Sequence, residues 1–130
     1  MKISLTNENG LILIYLYFFS IEQCIQLNNG GETDLSCRLL FDSEDEWLGI
    51  KLATNNIIED HLEPNSSVTI SQSKGIWTIL FRSDKAIARE EIQDCITDLY
   101  GNKYTGIELV VPKGTIPKYN YINKLIYNSK

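Results

Sequence analysis

One histidine and three cysteines are the whole supply of zinc-type ligands other than carboxylates in this 130-residue chain, and no two cysteines form a Cys-x-x-Cys. A structural zinc site needs four ligands at set spacings, and His61 has only Glu59 and Asp60 beside it. It reads as a solvated residue at a helix end. Cys24, Cys37 and Cys95 are odd in number and stand in apolar surroundings. They read as small core residues in a reducing compartment, not as a disulfide framework. A Gly-x-Ser-x-Gly elbow, a glycine-rich phosphate loop and a dinucleotide fingerprint are also missing. No catalytic residue, metal or cofactor is assigned.

Long hydrophobic runs are scarce as well. The apolar stretch over residues 11–19 is nine residues long, and a bilayer-spanning helix needs about 20. Glu8 stands where a secretory signal carries positive charge, and no small-x-small cleavage site follows. The stretch therefore reads as a buried strand with a neighbour on each side, and the chain as cytoplasmic, with no membrane partner.

What is present suits a globular domain. Hydrophobic residues make up 43% of the chain, enough for a single domain of this length to bury roughly two-thirds of its unfolded surface. Residues 7–10, Asn-Glu-Asn-Gly, read as a turn between alternating residues 2–5 and the run to Phe19, which predicts a hairpin. Ser20 and Gln23 have capping-box spacing and predict a short helix carrying Ile21, Cys24 and Ile25. Residues 35–41 and 47–52 read as strands around an acidic turn, and Thr54 or Asn55 as the cap of a brief helix that ends at Pro64. A second hairpin follows over residues 68–81, with residues 72–75, Gln-Ser-Lys-Gly, as its turn.

Across residues 84–100, Ala88, Ile92, Cys95, Ile96 and Leu99 fall on one stripe of period 3.6. A strand would place Ile92 and Ile96 with Asp94 and Asp98, mixing charge into the core, so the spacing predicts a helix. Residues 107–111 read as a strand and 117–128 as a terminal helical segment. The expected fold is α+β: one domain, residues 1–130, mainly antiparallel sheet built from hairpins with two to four helices packed on it. Residues 9–14 echo 74–79, and 47–52 echo 104–109. Two similar halves, 1–54 and 66–111, are one reading, and the ordinary recurrence of hairpins is the other.

Charge is distributed unevenly. Residues 32–63 hold nine acids against Arg38 and Lys51, whereas residues 103–130 hold five lysines against Glu108, within a total of −5. Lys113, Lys118, Lys124 and Lys130 interleave with Tyr119, Tyr121 and Tyr127. The tail has no arginine and the whole chain is acidic, which disfavours nucleic acid. An acidic surface attracts basic proteins and speeds their association. The candidate partner-binding residues are Asp42, Glu44, Asp45, Glu46, Trp47, Glu59, Asp60 and Glu63. Their spacing misses the calcium-loop pattern. Trp47 suits either an interface anchor or a core strand.

A small, acidic, single-domain chain without catalytic motifs resembles, in overall character, the immunity proteins of bacterial contact-dependent growth-inhibition toxin systems. The resemblance implies a non-enzymatic protein-binding module whose partner is a cognate basic toxin, often a nuclease, neutralised by tight one-to-one binding. Carboxylates would occupy the place of the substrate phosphates. The alternatives are a small enzyme assembled from dispersed carboxylates, tyrosines and Cys95, or a structural or regulatory subunit. The oligomeric state stays open.

Overall fold

Both predicted Gly-containing turns do close hairpins. In a computed structural model, which describes residues 1–20, 22–24, 32–62 and 67–126 (without the side chains of 32 and 33), eight strands form one sheet. They are β1 (Lys2–Glu8), β2 (Leu11–Tyr17), β3 (Glu32–Phe41), β4 (Trp47–Ala53), β5 (Thr69–Ser73), β6 (Ile76–Leu80), β7 (Arg89–Tyr100) and β8 (Lys103–Pro112). Asn9 and Gly10 have φ of 51° and 80°, and Lys74 and Gly75 have 53° and 79°. Both turns thus have the left-handed pair that matches strand twist and that glycine tolerates at no steric cost. The spatial order is β1-β2-β8-β7-β3-β4-β6-β5, antiparallel throughout. The sheet curls into a half-barrel.

This overturns the α+β expectation. Among the described residues, helix is confined to one turn at residues 22–24 and a 3-10 helix, Asn120–Leu125. The first is opened by the predicted box: the Gln23 amide N–H donates to Ser20 Oγ at 3.1 Å, and the Ser20 amide to Gln23 Oε1 at 3.2 Å. Residues 55–62, the described part of the helix predicted after Thr54, form no helix. Ile57 instead bridges Lys103, and its N–H donates to Asn102 O at 2.7 Å. Thr54 Oγ1 accepts from the Asn56 amide and bonds Tyr104 Oη at 2.8 Å, so the local turn takes the cap that a helix would have used.

The larger correction is β7, the predicted helix over 84–100. Cys95, Thr97 and Leu99 face the core or pack against it, while Ile92, Asp94, Ile96 and Asp98 alternate along the other side. That mixed set fails as a core but is acceptable on a solvent face. Between β3 and β8, both needing ladder partners, β-branched Ile92, Ile96 and Thr97 suit a pleated strand, and tertiary pairing overrides the 3.6-residue stripe. Among the described residues, no helix is long and apolar enough to cross a membrane.

The core lies on the other face. Ile12, Ile14 and Leu16 of β2 register with Val111, Leu109 and Ile107 of β8, and Leu39 and Leu52 with Ile50 and Trp77. The segment after β8 then crosses this apolar face. The Trp47 amide donates to Lys118 O at 2.9 Å, Ile116, Ile122 and Leu125 are buried, and Ile126 bridges Ile3 of β1. The predicted terminal helix is therefore realised as a six-residue 3-10 strap, with residues 127 and 128 outside those described.

The strand order has a further property. Exchanging β1–β4 with β5–β8 reads the same order backwards, with a pseudo-twofold axis between β3 and β7. Gly49 and Gly106, which occupy the same place in the two sequence echoes, are both sites of close approach. A Cβ on Gly49 would lie 1.9 Å from Ile79 O, and one on Gly106 would lie 2.2 Å from Tyr15 Oη.

Candidate protein-binding face

The acidic turn is largely committed to holding the fold. Asp42 Oδ1 accepts the Glu44 and Glu46 amides at 2.8 and 3.1 Å, and Oδ2 accepts Tyr121 Oη–H at 3.0 Å. Burial pushes the Asp42 carboxyl pKa up, but those three hydrogen bonds, with Lys85 nearby, hold it below the usual carboxylate range. Glu46, also buried, accepts from the Asn120 amide at 3.1 Å and from Asn120 Nδ2 at 2.8 Å. These two acids pin the strap to β4. Asp45 is exposed and pairs with Arg89 at 2.9 Å; Glu44 is exposed on the same turn. Trp47 is fully buried, edge-on to Phe81 at 4.8 Å, its Nε1–H donating to Gly49 O at 2.8 Å.

The other predicted acids lie elsewhere. Glu59 contacts His61 at 3.2 Å and Lys103 at 3.5 Å, and Asp60 takes the N-terminal ammonium at 2.5 Å. His61 is on no helix; its ring packs on Phe19 at 4.2 Å. Because Phe41 registers with Arg89 while Ile57 bridges Lys103 beside Tyr100, the two acidic groups sit at opposite ends of β7. At about 3.3 Å per residue they are roughly 35 Å apart. Folding does not gather them into one patch, and Glu63 lies outside the described residues.

Folding does gather a face that no sequence window contained. Registered residues of a ladder share a side. Leu13 with Val110, Glu108 with Ile96, Ile96 with Asp34, Asp94 with Ser36, and Ile92 with Arg38 and then Lys51 all project away from the core. Seven large apolar side chains are notably exposed among the described residues, and four of them, Leu11, Ile76, Ile92 and Val110, are on this face. Ile92 leads at 67% exposure. Exposed apolar groups clustered this way mark interaction surfaces more than scattered ones do.

A groove of about 560 Å³ runs along the face between β3, β7 and β8, walled by Asp34, Asp94, Ile96, Glu108, Val110 and Gln93. None of the described residues that line it is basic. Gln93 Nε2 donates to Val110 O and Asp94 O at 3.0 and 3.1 Å, securing the groove where β7 and β8 stop pairing. At the far end Tyr15 arches over Gly106 to hydrogen-bond Asp98, and burial and that carboxylate drive the phenol pKa far above its ordinary value. Across the pseudo-axis lies a smaller depression of about 260 Å³, whose outward-facing lining includes Arg38, Lys51, Ala53, Ile76 and Ile92. There Lys51 pairs with Glu90 at 2.9 Å, and Arg38 reaches the same carboxylate at 3.9 Å.

The groove's carboxylates face solvent, so the arrangement can attract and hold cationic groups, with apolar walls for their aliphatic stems. Cys37 and Cys95 face the core as diagonal neighbours on β3 and β7, both buried and free. A hydrogen bond to Cys95, and then burial, keep the Cys37 thiol protonated. No three His, Cys, Asp or Glu residues among those described are placed to hold a metal. Comparison with known families, curated proteins and solved structures gave no match.

Sequence reasoning passed over Asp94, Ile96 and Glu108: the predicted helix put Ile96 in its core stripe and Asp94 on its outer face, and Glu108 stood alone in a strand. The usable signal was the alternation of isoleucine and aspartate from Ile92 to Asp98.

Proposed function

We propose that the chain is a non-enzymatic binding protein of the immunity type, which neutralises a basic protein toxin by covering its cationic, phosphate-binding surface. One observation carries this reading. Asp34, Asp94 and Glu108 line a groove with no basic residue among those described, on the one sheet face that also exposes Leu11, Ile76, Ile92 and Val110. Apolar contact supplies the area of an interface, and complementary charge supplies rate and selectivity. Exposed Glu44, Asp45 and Glu59, at the two ends of the sheet, extend the negative field that steers a basic partner.

The reading requires a toxic domain encoded beside this chain, and the test is co-expression with it. The wild-type protein restores growth, and the purified pair forms a one-to-one complex. Reversing Asp34, Asp94 and Glu108 to lysine weakens binding about a hundredfold, taking each contact as roughly 1 kcal/mol. Ile92→Ser weakens binding too, while leaving stability within about 0.5 kcal/mol because the side chain is exposed. Absence of rescue by the wild-type chain refutes the reading. Rescue that survives the triple reversal removes the groove from it.

A further inference from the structure

The docking face is charged in opposite senses on its two sides, and the internal symmetry makes the two sides equivalent in position. In the echoed segments Lys51 stands where Glu108 stands, two residues after Gly49 and Gly106 respectively. Aligning β3 with β7 on Cys37 and Cys95 makes Asp34 the counterpart of Ile92, and Arg38 the counterpart of Ile96. The pair on the axis is Ser36 and Asp94, whose side chains approach to 3.5 Å. One side of the face therefore carries Glu108, Asp34 and Ile96, and the other carries Lys51, Arg38 and Ile92.

We infer that the face is occupied, in the absence of the toxin, by a second copy of this chain. A twofold contact is isologous: whatever a residue touches on the other copy is touched in return by its own counterpart. A face that is acidic on one side of its centre and basic on the other is complementary to itself under such a rotation. Turned face to face, Lys51 and Arg38 of one copy lie against the acidic side of the second, and the reverse contact forms at the same time. The exposed Ile92, Val110 and Ile76 side chains are covered in the process.

The self-pair is built to be weaker than the toxin complex. Glu90 already pairs with Lys51 and reaches Arg38, and Asp94 adds a carboxylate at the centre. The face keeps a surplus of negative charge that a second copy cannot neutralise and a basic protein can. Self-association thus shields the apolar face and yields to the partner. This role as a reversible cover rests on the docking reading above, although the dimer itself is measured without any toxin.

Sedimentation velocity on the purified chain, over about 10 µM to 1 mM, is the experiment. The expected result is a monomer–dimer equilibrium with no larger species, since an isologous contact closes at two. Lys51→Glu and Glu108→Lys each place like charges in both symmetric contacts and shift the dimer to at least tenfold higher concentration. The double variant K51E/E108K restores opposite charges and recovers dimerisation. Glu22→Lys, an exposed residue of the single helical turn after β2, leaves it unchanged. Circular dichroism confirms that each variant is folded. A monomer at every concentration overturns the inference, as does a wild-type dimer indifferent to both single changes, or a double variant no better than either one. None of these outcomes touches the rescue experiment, which judges the toxin reading alone.

Discussion

Asp42→Ala separates a structural role from a binding role for the acidic turn. The carboxylate is 6% exposed and accepts three hydrogen bonds, from the Glu44 and Glu46 amides and from Tyr121. A hydrogen bond to a charged group contributes about 1.5–3 kcal/mol, and a buried donor left without a partner costs about 1–3 kcal/mol. The Glu46 amide is buried, whereas the other two donors are part-buried and regain some hydration. Counting one full loss and two partial ones gives about 3–4 kcal/mol. Typical stabilities are about 5–15 kcal/mol, so this is a large fraction. For a domain of this size it lowers Tm by roughly 10 °C. Differential scanning calorimetry and urea titration, followed by tryptophan fluorescence, measure the loss.

The pH dependence has a definite direction. The folded Asp42 pKa lies below its ordinary value. Its contribution is therefore complete above the unfolded value of about 3.9 and fades as pH falls through the lower folded value. Wild-type stability declines below about pH 4, and Asp42→Asn shows less of that decline. An Asp42→Ala protein with unchanged Tm but lost partner binding would falsify the structural assignment.

Two further substitutions probe the frame of the face. Gly106→Ala puts a methyl where Tyr15 lies, forcing the ring off Asp98 and costing about 2–3 kcal/mol in urea titration. A Gly106→Ala protein of wild-type stability would mean that Tyr15 does not cross β8. Trp47→Ala removes a fully buried indole that packs on Phe81 and bonds Gly49, so the free energy of unfolding falls by about 3–5 kcal/mol in urea titration. A near-neutral result there would return Trp47 to the surface.

Residues whose structure depends on their immediate neighbours were legible from the sequence. Asn9 with Gly10 and Lys74 with Gly75 adopt left-handed turns because their own backbones permit it. Ser20 and Gln23 satisfy each other's amides within three residues. The acidic turn could be located, but its chemistry could not. Whether Asp42 and Glu46 faced a partner or fastened the strap depended on Tyr121 and Asn120, more than 70 residues away in sequence.

The central strand was a decision of the tertiary structure alone. Residues 89–100 carry a respectable helical stripe, and nothing local forbids it; β3 and β8, each exposing a ladder edge, made strand pairing the better use of the same side chains. The proposed binding face has the same origin. Leu13, Asp34, Lys51, Ile92 and Glu108 come from five strands and meet only through registers set by long-range pairing. Local patterning determined where the two glycine turns fall and most of the extended stretches, though not β7. Long-range hydrogen bonding determined which charges meet, because a register is a property of two strands and is written in neither one.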